Sequence, residues 1–442
     1  MKKIGIIIIS GLIVIGSIIC FVLALNRTNK SNISSSIDSD NDSATTISSS
    51  YDNLSYGEEE TYNGTSITNG GTYTIEGSNG QIVIDTDSNV ELILKSATIT
   101  SSNGPAIYIK NAKTVSIVLN GTNKISANTT EDLDGAIYST ADLVFSGDGS
   151  IEIESNIDGI VSKDTLVINS GTYIINSGDD GIRGKDNVAI VNGTFTINAK
   201  GDGIKSTNEE DSTLGYIAID NGTFNITAVN DGIDAATEVN IKGGTFNITT
   251  TSKADDSSKG IKGDSKIIIT GGVFDIDATD DGIHSNGDIA IKGGTFKVDC
   301  GDDGIHADGM VEISGGDITL IAREGIEATY VKINDGTIKI EATDDGINAG
   351  NKSKNYSVTI EINGGNLTID MGQGDTDAID SNGNLYINGG TINITAQSPF
   401  DYDGEGVYKG GDITVNGEKT TTLTNQMMGG PGGGGNFRGG RW

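Results

Sequence analysis

Aspartate recurs in a short run that repeats along the middle of the chain. The run Asp-Asp-Gly-Ile begins at Asp179, Asp280, Asp302 and Asp344, and degenerate copies lie between these positions. Carboxylate oxygens are hard ligands, and clusters of them suit Ca²⁺. Two carboxylates that lie close together repel each other unless a cation lies between them. These residue types therefore indicate cation chemistry, provided that the fold brings successive runs together.

The glycine of this run marks a repeat of nearly constant length. Gly181 and Gly203 are 203 − 181 = 22 residues apart, and Gly282 and Gly304 are again 304 − 282 = 22 apart. Each repeat carries three short apolar stretches and a Gly-Gly or Asn-Gly turn, in which glycine supplies a positive φ. A rung of a parallel β-helix has about this size, whereas a propeller blade needs about twice as many residues. We therefore predict an all-β fold, a right-handed single-stranded parallel β-helix with three strands and about 22 residues per rung.

Stacked rungs share one apolar core, because a single rung cannot bury its own apolar face. Residues of equal phase then lie about 4.8 Å apart on neighbouring rungs. Two internal ladders are predicted from the repeats: Phe195, Phe224, Phe246, Phe274 and Phe296; and Ile182, Ile204, Ile233, Ile283 and Ile305. Longer steps after Ile204 and Ile347 predict loop insertions at a corner, where solenoids often bind ligands.

The same stacking makes aspartates neighbours across rungs. The candidate metal ligands that stacking indicates are Asp180, Asp202, Asp231, Asp281 and Asp303. For any single aspartate the alternative is ordinary turn chemistry, since Asp side chains cap turns without a metal. For the ladder as a whole we predict at least one bound Ca²⁺ ion.

The two histidines of the chain, His284 and His306, occupy equal phase on successive rungs. One interpretation is a transition-metal pair, with Asp281 and Asp303 nearby; the other is a pair of exposed groups on an acidic face. The sequence leaves both open. Together with Arg183 and Lys205, these histidines are the candidate ligand-binding residues.

The charge balance narrows the choice of partner. Asp and Glu total 61 against 29 Lys and Arg, a formal net charge of −32. This excess argues against nucleic acid, whose phosphates need a basic partner. An anionic polymer can still bind when a cation bridges the two sets of carboxylates. The single tryptophan argues against a flat aromatic platform for crystalline cellulose.

The ends of the chain differ in composition from the repeats. Two lysines precede an apolar run, which predicts a secretory signal peptide or a signal-anchor helix over residues 1–25. Residues 26–60 are polar and are predicted to form a disordered stalk. The β-helix is expected over residues 61–424, followed by a Gly-rich flexible tail over 425–442. The protein should be exported, should contact the membrane only through an uncleaved N-terminal segment, and is expected to be a monomer.

One region resembles the family nine pectate lyases, within the pectate lyase-like parallel β-helices. The resemblance rests on Asn230-Asp-Gly-Ile-Asp234, on Lys259-Gly-Ile-Lys262-Gly263 one rung later, and on Asp202 one rung before. The chain departs from the family pattern at Asn230, which replaces an aspartate, and at Asp264, which replaces a glycine.

This resemblance implies a calcium-dependent elimination. Asp202, Asp231 and Asp234 would be the Ca²⁺ ligands, and Lys262 would be the base. The ion would acidify the proton beside a uronate carboxylate, and the lysine would remove it.

The chain as a whole resembles the clostridial carbohydrate-binding β-helix family of exported Gram-positive surface proteins. The features that carry the resemblance are the N-terminal segment, the polar stalk, the Asp-Gly-Ile rungs, the Gly-Gly-Thr-Phe turns and the Met/Gly-rich tail. The family implies binding of cellulose or of acidic sugars such as polygalacturonate, with bound Ca²⁺.

We therefore predict a Ca²⁺-dependent binding protein for acidic polysaccharide or another plant cell-wall glycan. Its expected location is the extracellular space or the surface of a Gram-positive bacterium. Two alternatives remain open: a Ca²⁺-dependent pectate lyase, and a β-helical surface adhesin.

Overall fold

The computed structural model describes residues 43–252, 257–372 and 376–425. This part of the chain is built almost entirely of parallel strands, with one short helix, Ala44–Ser49. Through most of the fold each strand pairs with the strand three positions further along the chain. For example, Thr194–Ala199 pairs in register with Thr223–Ala228. The predicted parallel β-helix with three strands per rung is confirmed.

The predicted N-terminal segment, residues 1–25, and residues 426–442 of the predicted tail lie outside the described residues. Within the described ranges, no helix has the length and apolar character needed to cross a membrane.

Each rung contributes one strand to each of three faces. The aromatic face, named for its phenylalanines, contains Thr122–Ala127, Ser150–Ser155, Thr172–Ser177, Thr194–Ala199, Thr223–Ala228, Thr245–Thr250, Val273–Ala278, Thr295–Cys300, Asn366–Met371, Thr391–Thr395 and Asp412–Val415. The acidic face, which carries the Asp-Gly-Ile runs, contains Ser66–Ile67, Ile82–Asp85, Ile107–Asn111, Gly135–Ser139, Asp158–Ser162, Ile182–Gly184, Ile204–Ser206, Ile233–Ala235, Ile261–Gly263, Ile283–Ser285, Ile347–Ala349, Ile379–Ser381 and Asp401–Tyr402. The third face contains Glu59–Thr61, Thr114–Asn120, Asp142–Gly147, Thr165–Ile168, Asn187–Ile190, Tyr216–Ile219, Glu238–Ile241, Lys266–Ile269, Asp288–Ile291, Thr359–Ile362, Asn384–Ile387 and Gly406–Tyr408.

A few strands pass from one face to another. Gly71–Asn79 and Val90–Ser101 bend from the third face to the aromatic face. Asp303–Ala322 and Glu324–Ala342 run unbroken through all three faces of a rung. The last strand, Glu418–Thr420, pairs antiparallel with Asp412–Val415.

Two internal ladders fill the core, as the repeats predict. Successive phenylalanine rings from Phe195 to Phe296 lie 4.6–4.8 Å apart and are parallel to within 4°. Tyr173, which the sequence analysis did not assign to the stack, extends it by one ring at 4.9 Å. The isoleucines of the Asp-Gly-Ile runs are fully buried on the acidic face. Both predicted ladders are therefore core.

The glycine of the Asp-Gly-Ile run is required by close packing. A Cβ at Gly232 would lie 2.4 Å from the Ile248 side chain and 2.6 Å from the Gly260 carbonyl oxygen. A Cβ at Gly181, Gly203 or Gly260 would be similarly close to the corresponding isoleucine and to the carbonyl oxygen of the next glycine. Since real side chains do not approach so closely, glycine is required on these four rungs, where both neighbours lie this near.

The helix Ala44–Ser49 docks on the third face. Ala44 is fully buried and packs against Val144, Val167, Ala189 and Ala218. The Thr45 backbone N–H donates to Asp220 Oδ2 at 2.9 Å, which satisfies one of the free donors at the helix N-terminus. The prediction of a disordered stalk over 26–60 is therefore wrong for this segment, because it buries apolar surface against the rungs.

Candidate functional site

The aspartates of the Asp-Gly-Ile runs form a ladder at the corner between the aromatic and acidic faces. In five of these aspartates, one carboxylate oxygen accepts a hydrogen bond, at 2.7–3.0 Å, from the backbone N–H of the equivalent residue on the next rung. The pairs are Asp158 with Asp180, Asp180 with Asp202, Asp202 with Asp231, Asp231 with Lys259, and Asp281 with Asp303. In these five carboxylates, one oxygen thus bonds to the backbone without a metal, as the turn-capping interpretation holds.

The second oxygen faces the side chain that follows the isoleucine. His284 Nδ1 lies 2.7 Å from Asp281 Oδ2, and Lys205 Nζ contacts Asp202 Oδ2 in the same way. We call the residues at this position the outward row. The row runs in strand register along the acidic face through Arg183, Lys205, Asp234, Lys262, His284, His306 and Glu327.

Three of the predicted metal ligands come together in the middle of this face. Single carboxylate oxygens of Asp202, Asp231 and Asp234 lie within 4.8 Å of one another, and all three residues are buried. An oxygen-only donor set of this kind fits the coordination chemistry of Ca²⁺. We call these three residues the carboxylate cluster.

Two lysines flank the carboxylate cluster and partly neutralise it. Lys262 Nζ lies 3.0 Å from Asp234 Oδ1 and 3.6 Å from Asp231 Oδ2. Lys205 Nζ contacts Asp202 and lies 3.4 Å from Asp234 Oδ2. Three carboxylates against two ammonium groups leave one net negative charge, and a Ca²⁺ ion here would displace the ammonium groups.

The protonation preferences of these groups follow from their burial and charge. Burial raises the pKa of Asp231 to about 6, and the charges of Asp234 and Asp202 add to this effect. Burial also raises the pKa of Asp202, with a further contribution from Asp180. For Lys262, burial acts to lower the pKa, but attraction to Asp234 and Asp231 outweighs it and raises the pKa. Without a cation at the cluster, the lysine that the lyase resemblance assigns as base therefore favours its protonated form.

A cleft of about 520 Å³ opens beside the carboxylate cluster. Its lining consists of Lys205, Ser206, Thr207, Glu209, Ser212, Asp234, Ala235, Ala236, Thr237, Lys262, Asp264 and Ser265. None of these lining residues is aromatic. Hydroxyl, carboxylate and ammonium groups dominate the surface, so the cleft suits a polar and hydroxyl-rich ligand rather than a stacked apolar one.

One wall of the cleft is the predicted insertion after Ile204. Within this loop, Asn208 Nδ2 donates to Asp186 Oδ1 at 2.7 Å, and Asn208 Oδ1 accepts from the backbone of Glu210 and Asp211. These bonds hold the wall against the neighbouring rung. The second predicted insertion, after Ile347, brings Lys352 Nζ to 2.7 Å from Glu327 Oε2, further along the outward row.

Arg183 and Asp180 lie outside the cleft. The guanidinium of Arg183 contacts Asp134 and Asp158, each at 2.5 Å, and its Nε is 3.9 Å from Asp180. Asp134 was not among the predicted site residues, because its run, Asp134-Gly-Ala136, lacks the isoleucine that marks the others. The assignments of Arg183 to ligand binding and of Asp180 to a metal remain predictions.

The two histidines face each other across neighbouring strands, at a ring-centroid distance of 4.7 Å. His306 Nδ1 lies 2.6 Å from Asp303 Oδ2 and 3.2 Å from Glu327 Oε2. Burial lowers the pKa of His306, and burial raises the pKa of Asp303 to about 7. Of the two interpretations left open by the sequence, exposed groups do not fit, because both rings are largely buried and hydrogen-bonded.

Comparisons with known proteins place these features in a family. A solved structure described as the polysaccharide lyase-like protein from C. thermocellum, gadolinium derivative, is 26% identical; the match covers 54% of this chain and 90% of that chain, with a TM-score of 0.37. No curated protein is detectably similar to the chain. The family of carbohydrate-binding domain-containing proteins matches residues 61–304 and 301–427. Since these segments span most of the sequence, the chain belongs to the family of carbohydrate-binding domain-containing proteins.

Proposed function

We propose that the protein binds acidic polysaccharide of the polygalacturonate type in the cleft, in a Ca²⁺-dependent manner, at the surface of the exporting cell. The observation that carries the proposal is the position of the carboxylate cluster at the edge of a hydroxyl-lined cleft. Membership of a carbohydrate-binding family supports a polysaccharide as the ligand. The negative charge of the site supports a role for a cation in binding an acidic polysaccharide.

Charge explains why a cation is needed. The cluster keeps one net negative charge after pairing with its lysines, and Glu209 and Asp264 add two more carboxylates to the lining. A uronate carboxylate that enters this cleft would be repelled. Ca²⁺ held by Asp202, Asp231 and Asp234 would reverse the local charge and could bridge protein and sugar carboxylates.

The lysines then acquire a second role. A divalent ion at the cluster repels the ammonium groups of Lys205 and Lys262, both of which line the cleft. Freed from the aspartates, the two ammonium groups can donate to carboxylates of the bound uronates. In this arrangement Ca²⁺ and polysaccharide bind cooperatively, since each stabilises the arrangement of side chains that the other requires.

The test is a calorimetric titration of the full-length protein with polygalacturonate, performed once with Ca²⁺ and once with a chelator. We expect binding in Ca²⁺ only. Lys262→Ala should weaken it about 10-fold, the effect of losing one charge-assisted hydrogen bond. The matched control is Lys297→Ala, which removes an exposed lysine from the aromatic face and should bind as the wild type. Equal binding with and without Ca²⁺ would contradict the proposed role of the ion.

A second candidate function is elimination, because Lys262 lines the cleft beside the cluster that would hold Ca²⁺. Ca²⁺ would supply the acidification of the sugar proton and would lower the pKa of the nearby lysine. Ultraviolet absorbance of unsaturated uronate, recorded during the same titration, separates the two functions. Rising absorbance that Lys262→Ala abolishes would establish a lyase. If the protein neither binds polygalacturonate nor produces an absorbance change, the adhesin interpretation remains.

A further inference from the structure

We propose that His284 and His306, together with Asp281, form a binding site for a divalent transition metal of the Zn²⁺ type, separate from the carboxylate cluster. One ligand atom from each of these three residues lies within 4.8 Å of the other two. Two imidazoles and a carboxylate are a donor set that zinc uses in proteins when the fourth position is left open. Imidazole ligands distinguish this site from a Ca²⁺ site, which takes oxygen ligands.

The fold brings the two rings together without help from a loop. His284 and His306 are direct strand partners on the acidic face, and their ring centroids are 4.7 Å apart. A metal bound to both nitrogens at about 2.0–2.1 Å requires the nitrogens to be within about 4 Å of each other. A small rotation of the imidazoles reaches that distance, because the backbone already fixes the spacing.

The acceptors around the two imidazoles suit a metal-ligand role for their nitrogens. His284 Nδ1 faces Asp281 Oδ2 at 2.7 Å, and its Nε2 faces Asn286 Oδ1 at 3.0 Å. His306 Nδ1 faces Asp303 Oδ2 at 2.6 Å, and its Nε2 lies 3.6 Å from Asp308 Oδ1. A neutral imidazole can donate from only one nitrogen. Both nitrogens of His284 lie within hydrogen-bonding distance of acceptor oxygens, so a neutral ring turns one nitrogen lone pair toward an oxygen, a contact that a bound metal ion would relieve.

The neighbouring carboxylates have separate tasks. Asp281 Oδ1 accepts the Asp303 backbone N–H at 3.0 Å, which fixes the side chain and leaves Oδ2 as the metal ligand. Asp303 Oδ2 orients His306, as carboxylates commonly orient zinc-bound histidines. Glu327 is already paired with Lys352 at 2.7 Å, which favours Asp281 as the third ligand.

The site lies further along the same outward row as the carboxylate cluster. Asp234 pairs with Lys262 and Lys262 pairs with His284, so a single rung separates the carboxylate cluster from the histidine site. An open coordination position on the metal would face the same side of the molecule as the cleft. A hydroxyl or carboxylate of a long polysaccharide could then occupy that position while a neighbouring sugar unit occupies the cleft.

The test measures metal alone, without sugar, and is therefore independent of the proposed function. Full-length protein in excess Ca²⁺ is titrated with Zn²⁺ by calorimetry, so that oxygen-only sites are already filled. We expect one Zn²⁺ per chain, at least a 10-fold loss of affinity in His306→Gln and no binding in the double variant with His284→Gln. Asp380→Asn is the matched control, because Asp380 lies in the same row three rungs from His306, and it should bind Zn²⁺ as the wild type.

A spectroscopic measurement on the wild-type protein tests the site without relying on variants, which can lose metal binding by misfolding. Bound Cu²⁺ should show hyperfine coupling to two imidazole nitrogens in its electron paramagnetic resonance spectrum. Three results would overturn the site: no Zn²⁺ binding in excess Ca²⁺, unchanged affinity in the double variant, or a copper spectrum without nitrogen coupling.

Discussion

Asp180 illustrates how one carboxylate serves two neighbours. Its Oδ1 accepts the backbone N–H of Asp202 at 2.9 Å, whereas its other oxygen faces Arg183. The aspartate is thus needed for stacking whether or not a cation is ever bound. This explains why so many rungs carry the residue while only a few place three ligands together.

Substitution of Asp180 should separate the two tasks of the carboxylate. Asp180→Ala leaves the buried N–H of Asp202 without an acceptor, which should cost about 1–3 kcal/mol. Asp180→Asn keeps an oxygen at the same place and should cost less. Midpoints of denaturant unfolding measure both. Equal destabilisation by the two variants would show that charge, rather than the hydrogen bond, is what the position supplies.

The corner glycines allow a similar test of how rungs stack. Gly232→Ala places a Cβ 2.4 Å from Ile248 and 2.6 Å from the Gly260 carbonyl, so two rungs must shift. Overpacking of this kind typically costs about 1–3 kcal/mol. The control is Gly350→Ala, at a glycine with no atoms within 4 Å of the added carbon. A melting temperature lowered only in Gly232→Ala is the expected result; two variants with unchanged melting temperatures would contradict the packing argument.

Periodicity explains which elements could be predicted from the sequence. The phenylalanine and isoleucine ladders were predictable because a fixed step places identical side chains above one another. The docked helix Ala44–Ser49 was missed, since a six-residue polar segment has no period. A signal for it exists on the third face. There Val144, Val167, Ala189 and Ala218 make both sides of successive strands apolar, which indicates an external cover.

The candidate site was predictable in its ligands but not in its surroundings. The repeat length predicts that Asp202 and Asp231 are neighbours, and the resemblance to the pectate lyases adds Asp234; the structure brings all three together. The pairing of Lys205 and Lys262 with those carboxylates depends on side-chain rotamers, which a repeat pattern does not determine. The path of the insertion after Ile204 likewise depends on long-range hydrogen bonds, such as those from Asn208 to Asp186 and from Thr237 to the Leu214 carbonyl. Loops of that kind carry no periodic signal.

The charge of the entire domain predicts an unusual dependence of stability on pH. Burial, followed by the charge of Asp380, raises the pKa of Asp345 to about 7; burial, followed by Asp401, does the same for Asp380. Burial also raises the pKa of Asp158 to about 7, against the opposing charge of Arg183. A carboxyl whose pKa is higher in the folded than in the unfolded state takes up a proton on folding between the two values. These three groups therefore favour the folded state below about pH 4 and lose that contribution as the pH rises through about 7.

The expected outcome is a melting temperature that falls by several degrees between pH 5 and pH 8 when chelator is present. Asp345→Asn and Asp380→Asn should each flatten the profile, because an amide cannot ionise on the buried acidic face. Neither residue belongs to the carboxylate cluster or to the histidine pair, so the result does not depend on either proposed metal. Scanning calorimetry across the pH range measures the effect. A melting temperature that rises toward pH 8 would mean that the folded protein stabilises these carboxylates as anions. The carboxylates of the ladder would then not repel one another, and a bound cation would not be needed to stabilise them.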